Sequence, residues 1–158
     1  MKFKVAVLNG PNLNMLGTRE TNIYGSDTLA DIENLTNNRL AVDFPTVDFE
    51  LEWLQSNIEG ELVGLIQKIS QNDYSALVIN PGGYAHTSVA ILDALRLCKI
   101  PIAEVHITNT YRREPFRHQK LTAQAATFIM EGLGIHVYYT ALRALWDLTN
   151  NTECIKKG

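Results

Sequence analysis

The chain has two cysteines, Cys98 and Cys154, and they stand at neither metal-ligand spacing nor in any pattern of a disulfide framework. It has no apolar run of membrane-spanning length, and the one near its start, Phe3 to Leu8, is too short for the apolar body of a signal peptide. Neither sign of charge dominates. With 17 acidic against 14 basic side chains the net charge is −3, which gives no electrostatic footprint for nucleic acid or an anionic membrane. A cytoplasmic, reducing setting is therefore the expectation. Neither GxGxxG nor GxxxxGK[ST] occurs, which argues against a nucleotide cradle, and no two histidines have zinc spacing. Cys98 falls near a predicted helix end instead of a strand-to-helix elbow, a poor place for a nucleophile.

What is present is an ordinary globular composition, 46% apolar and 20% charged, in 158 residues. That length suits one domain over 1–158, burying roughly 68–70% of its unfolded surface. The tail, 152–158, reads as frayed. Phe3 to Leu8 predicts a buried strand, stopped by Asn-Gly-Pro. Thr28 with Asp31 resembles a capping box, and Leu29, Ile32, Leu35, Leu40 and Val42 mark a helix face that follows it. Val47 to Leu54 alternates apolar with acidic residues, as a half-exposed strand near a sheet edge does. Leu62, Leu65, Ile66 and Ile69 give a second helix. Ser75 to Asn80 reads as a third, central strand, Val89 to Leu97 as a helix, and Ile102 to Ile107 as a fourth strand. Beyond that, the reading is a helix over Leu121 to Glu131, a fifth strand over Gly134 to Tyr139 and a last helix over Ala141 to Leu148. Strands alternating with helices argue an α/β fold with a parallel sheet covered on both faces.

Three polar stretches leave the carboxyl ends of strands one, three and four, where open α/β sheets bind ligands. The first, Asn9 to Gly25, is long for a connection in a compact domain and carries Arg19 and Tyr24. Tyr24 reads either as an anchor for the loop or as a base. A phenol, which ordinarily titrates at about pH 10, is a poor base at neutral pH unless a cation favours the phenolate. Arg19 could supply that cation, with Arg113 as a second candidate. His106 ends strand four two residues after Glu104, on the same sheet face. It is either a satisfied core histidine or an acid whose tautomer Glu104 fixes. Asn80 and His86 offer hydrogen bonds to hydroxyls, whereas Ser88 reads better as a helix cap. Arg117, with the amides of Ile107 and Thr108, could grip a carboxylate, or belong to a solvated charge run. Gly82 allows a tight turn or close approach by a ligand. The residues together point to proton transfer on a polyhydroxylated acid.

The segments NGPNLNMLGTRETNIYG (9–25), QSNIEGEL (55–62), INPGGYAHTSVAILDAL (79–95) and EVHITN…RREPFRH (104–118) resemble those of type II 3-dehydroquinate dehydratase. The resemblance implies a flavodoxin-like three-layer sandwich with a five-stranded sheet of order 2-1-3-4-5. It implies a lyase without cofactor or metal, acting on 3-dehydroquinate, and trimers assembled into a dodecamer. By position, Tyr24 matches the proton acceptor, Arg19 the transition-state stabiliser, His106 the proton donor and Asn12 the asparagine that holds a water on the enolate side. Asn80, His86, Asp93, Ile107, Thr108 and Arg117 match substrate-binding positions, and Arg113 a second arginine near the base. The chain departs from the family pattern at Gly83, Ala85, Thr108, Arg112, Pro115 and Val137, none of them a matched catalytic position. Two other readings compete: a flavodoxin-like binder of FMN or phosphate, and a weakly active oligomer using the same surface for interactions.

Overall fold

The structure is a computed structural model and describes residues 1–150. The tail expected to fray, 152–158, lies outside the described residues. Five strands, β1 (Lys2–Asn9), β2 (Asp48–Gln55), β3 (Ala76–Asn80), β4 (Ile102–His106) and β5 (Phe128–Glu131), form one parallel sheet of order β2-β1-β3-β4-β5. This is the expected flavodoxin-like order. The helices are α1 (Thr21–Tyr24), α2 (Leu29–Asp43), α3 (Glu59–Gln71), α4 (Val89–Leu95) and α5 (Val137–Asn150).

Period-two alternation sorts the strand residues between two cores. Val5, Val7, Val78, Ala103 and Val105 face Ile32 and Leu40 of α2 and Val137, Leu142 and Leu145 of α5. Ala6, Leu8, Leu77, Ile79 and Ile102 face Leu62, Ile66 and Ile69 of α3 and Ile91 and Leu95 of α4. Each large apolar side chain taken out of water contributes about 1.5–3 kcal/mol, so these two layers dominate the stability. β1 and β3 are buried on both faces, whereas β2 is an edge strand with Asp48 and Glu50 exposed.

The capping box forms: the Thr28 hydroxyl accepts from the Asp31 amide, and the Asp31 carboxylate accepts from the Thr28 amide. The Thr28 amide and the Thr28 hydroxyl both donate to that carboxylate and hold the Asp31 carboxyl below its usual range. α2 turns a narrower face inward than expected. Ile32, Thr36 and Leu40 are buried, and Val42 is exposed.

Beyond Lys120 the expected elements need correction. Leu121 to Glu131 is not a helix: it holds a 3-10 turn at Thr122–Ala125 and then β5. The segment read as a fifth strand, Gly134 to Tyr139, is a 3-10 turn at Gly134–His136 running into α5. Its Val, Tyr and Tyr favour strand intrinsically, but Val137, Tyr138, Ala141, Leu142 and Leu145 are buried at helical spacing, and tertiary packing overrides propensity.

Candidate active site

β1, β3 and β4 end side by side on Asn9, Asn80 and His106, and the three polar stretches meet beyond them. Backbone packing is close here. The Gly10 amide donates to the Asn80 carbonyl at 2.7 Å, and a Cβ on Gly10 would lie 2.4 Å from the Pro81 carbonyl oxygen. Gly82 adopts φ +58° against Pro11, a conformation that glycine enters without strain. Asn80 is 3% exposed and held on both sides of its amide. Its Nδ2 donates to the Tyr138 hydroxyl (3.1 Å), its Oδ1 accepts from the Gly82 amide (3.2 Å), and Tyr138 donates onward to Asn9 Oδ1 (2.6 Å).

His106 and Glu104 share one face of β4 as their spacing requires. His106 Nε2 donates to Glu104 Oε1 at 2.7 Å, and Glu104 is fully buried. With Nε2 committed, Nδ1 is the nitrogen left for a ligand. His86 Nδ1 donates to the Gln119 carbonyl at 2.7 Å, which leaves Nε2 as an acceptor. Burial pushes the His86 imidazole below its ordinary pKa, with the positive charges of Arg117 and Lys120 acting in the same direction. The two rings stack 6.4 Å apart.

The first stretch folds over these groups through a 3-10 turn at Leu13–Met15 and the short α1, which brings Arg19 and Tyr24 to the same pocket. The ranking of the two arginines changes. Arg113 Nη1 donates to the Tyr24 hydroxyl at 2.5 Å, while Arg19 lies over the ring with its Cζ 5.1 Å from the centroid and pairs with Glu20 at 2.5 Å. Asn12 lines the pocket in a left-handed conformation (φ 68°), its amide held by Asn57 Oδ1. Ile107, Thr108, Gly82 and Arg117 line it too. Arg117 spends its Nε on Glu114 at 2.8 Å, leaving the other guanidinium nitrogens for a ligand. Asp93 is the exception. It lies on the exposed side of α4, 3.5 Å from Arg96, and does not line the pocket.

A sequence profile described as Dehydroquinase class II matches residues 3–146. The chain belongs to the class II dehydroquinase family. It is 51% identical over 135 residues to a 3-dehydroquinate dehydratase of Streptomyces coelicolor, covering 85% of this chain and 83% of that one. It is 45% identical to one from Idiomarina loihiensis, covering 96% and 97%. The solved type II dehydroquinase from Butyrivibrio crossotus superposes with a TM-score of 0.85 at 40% identity, over 91% of this chain and 97% of that chain.

The dehydroquinase pocket also has walls that the sequence reading passed over. Leu13, Leu16 and Thr110 line it. Leu13 and Leu16 carried a weak signal, as apolar residues in a polar stretch, but so did Met15 and Ile23, and only burial separates the first pair, which is buried, from the second, which is exposed. Thr110, one more hydroxyl in a polar run, carried none.

Proposed function

We propose that this class II dehydroquinase dehydrates 3-dehydroquinate to 3-dehydroshikimate by anti elimination through an enolate, using the pocket above the carboxyl ends of β1, β3 and β4. The C2 hydrogen lies alpha to a ketone, so a base of moderate strength removes it once negative charge on the enolate is stabilised. Tyr24 is the base, and Arg113 and Arg19 stabilise negative charge around it. Asn12 holds the water that stabilises the enolate oxygen. His106, oriented by Glu104, protonates the C1 hydroxyl, which leaves as water. Arg117 with the Ile107 and Thr108 amides grips the carboxylate, and Asn80 and His86 bind ring hydroxyls. The observation that carries this reading is that Tyr24 with its guanidinium and His106 with its carboxylate line one pocket. A flavin or phosphate site calls for a first stretch rich in Ser, Thr and Gly, whereas this one brings Arg19 and Tyr24 to the pocket, which disfavours the flavin-binding alternative.

The reading includes a homo-oligomer, a dodecamer built from trimers, in the cytoplasm, serving aromatic biosynthesis or quinate breakdown. Asp93 fits its matched substrate role only if a neighbouring copy carries it to the pocket, so that role and the assembly are one proposal. The deciding experiment follows the conjugated enone absorbance after purified protein is mixed with 3-dehydroquinate. A rise is expected; a folded protein that produces none refutes the proposed activity.

A further inference from the structure

We infer that Thr122 is a positioning residue for the proton donor, acting on His106 through Glu104. Thr122 lies in the 3-10 turn that follows the third polar stretch and is fully buried. Its hydroxyl donates to Glu104 Oε2 at 2.7 Å, while Glu104 Oε1 accepts from His106 Nε2 at 2.7 Å. A hydroxyl has one hydrogen to give, and here Glu104 receives it. The terminal torsion of a glutamate is broad, so a single partner on one oxygen leaves the carboxylate plane poorly fixed. A donor on each oxygen fixes it, and with it the direction of the imidazole.

The same short segment handles the second histidine of the pocket. The Gln119 carbonyl accepts from His86 Nδ1, and the Leu121 amide donates to the Ala85 carbonyl at 2.7 Å. Residues 119 to 122 thus secure the strand-three loop and set which nitrogen each ring turns to the ligand: Nε2 of His86, and through Glu104, Nδ1 of His106. His86 is held by a main-chain carbonyl, which no substitution removes. His106 is held by the Glu104 carboxylate, whose other oxygen rests on one side-chain hydroxyl, and that makes Thr122 a link that a substitution can remove.

The inference rests on His106 being the acid. Thr122→Val keeps the shape and deletes the donor, leaving Glu104 Oε2 buried without its partner. The expected result is kcat lowered about tenfold or more, by analogy with the roughly 10–100-fold scale for hydrogen-bond partners that orient metal-bound histidines, with KM within about twofold. Thr122→Ser restores the hydroxyl and most of kcat. A merely structural threonine would lower the melting temperature and leave kcat of the folded protein unchanged. Wild-type kcat in folded Thr122→Val overturns the inference, as does equal impairment in the Val and Ser variants, which would show that the hydroxyl by itself restores nothing and that the fit of the whole side chain is what matters. If the valine variant does not fold, Thr122→Ala takes its place against the same serine. His106→Asn is assayed alongside. If it stays active, the acid assignment falls and takes this inference with it. If it is inactive while Thr122→Val is normal, only the role of Thr122 falls.

Discussion

Tyr24 is legible in the sequence because a phenol in a stretch with little core to join invites a chemical explanation. Its hydrogen-bond partner is legible only as a second candidate behind Arg19, because Arg113 stands 89 positions away and only the meeting of two loops makes the contact. Deleting the hydroxyl with Tyr24→Phe should lower kcat by at least about 100-fold, within the roughly 10²–10⁴ range of acid–base catalysis, and change KM only a few-fold. Steady-state kinetics on the two proteins check this, and near-normal kcat would put the base elsewhere. His86 gives a separate, equilibrium prediction. Burial lowers its folded-state pKa, so between that value and about 6.5 the unfolded chain binds more protons. Stability is then full above about pH 6.5 and declines as pH falls below it. Melting curves at pH 7 and pH 5.5 should show a smaller acid loss in His86→Gln than in the parent. The shifted carboxyls Glu20 and Glu114 contribute at lower pH, since theirs move down from an ordinary value of 4.5. An identical acid loss in both proteins would assign the decline to other groups.

Element by element, the sheet is readable as far as β4, because the apolar runs of β1, β3 and β4, the alternation in β2 and the Asn-Gly-Pro and Asn-Pro-Gly stops after β1 and β3 leave little choice. β5 is not. It is four residues long and lies at the sheet edge, and its Phe-Ile-Met follows Leu121, Ala123, Ala125 and Ala126, so the whole run reads as one helix. It is fixed partly from outside. Lys120, buried with its side chain 3% exposed, pairs with Glu131 at 3.2 Å, and the same Glu131 oxygen accepts from Thr110 at 2.9 Å. These contacts tie the carboxyl end of β5 to the stretch that carries Thr108, Arg113 and Arg117. Lys120→Met leaves the Glu131 charge without its cation, which typically costs about 3–5 kcal/mol when the pair is buried. Adding Glu131→Gln removes the stranded charge and keeps an acceptor for Thr110, so the double variant should recover much of the loss. Urea unfolding of the single and double variants measures the coupling. Additive losses would show that the two side chains act independently.

Across the whole molecule, the strand order that places β1, β3 and β4 side by side is what turns three separated polar stretches into one pocket. The order follows from the resemblance, and the alternation of strands with helices argued only for a parallel sheet. One matched residue resists this economy. Asp93 sits on the exposed side of α4, with Val89 and Leu97 also exposed at four-residue spacing on either side of it. Apolar residues flanking a carboxylate on a bare helix suit a surface that another copy of the chain covers. If Asp93 serves a neighbour's pocket, activity depends on two chains, and defects in different chains can complement. Asp93→Ala spoils the pocket that receives it but keeps its own Tyr24. Tyr24→Phe spoils its own pocket but still lends Asp93. Each variant alone should be impaired, and co-expressed subunits should regain turnover well above the average of the two, with sedimentation showing a single assembled species. Mixed assemblies no more active than that average would mean that Asp93 takes no part in a neighbouring pocket, and a protein that sediments as a monomer with full activity would remove the assembly from the mechanism altogether.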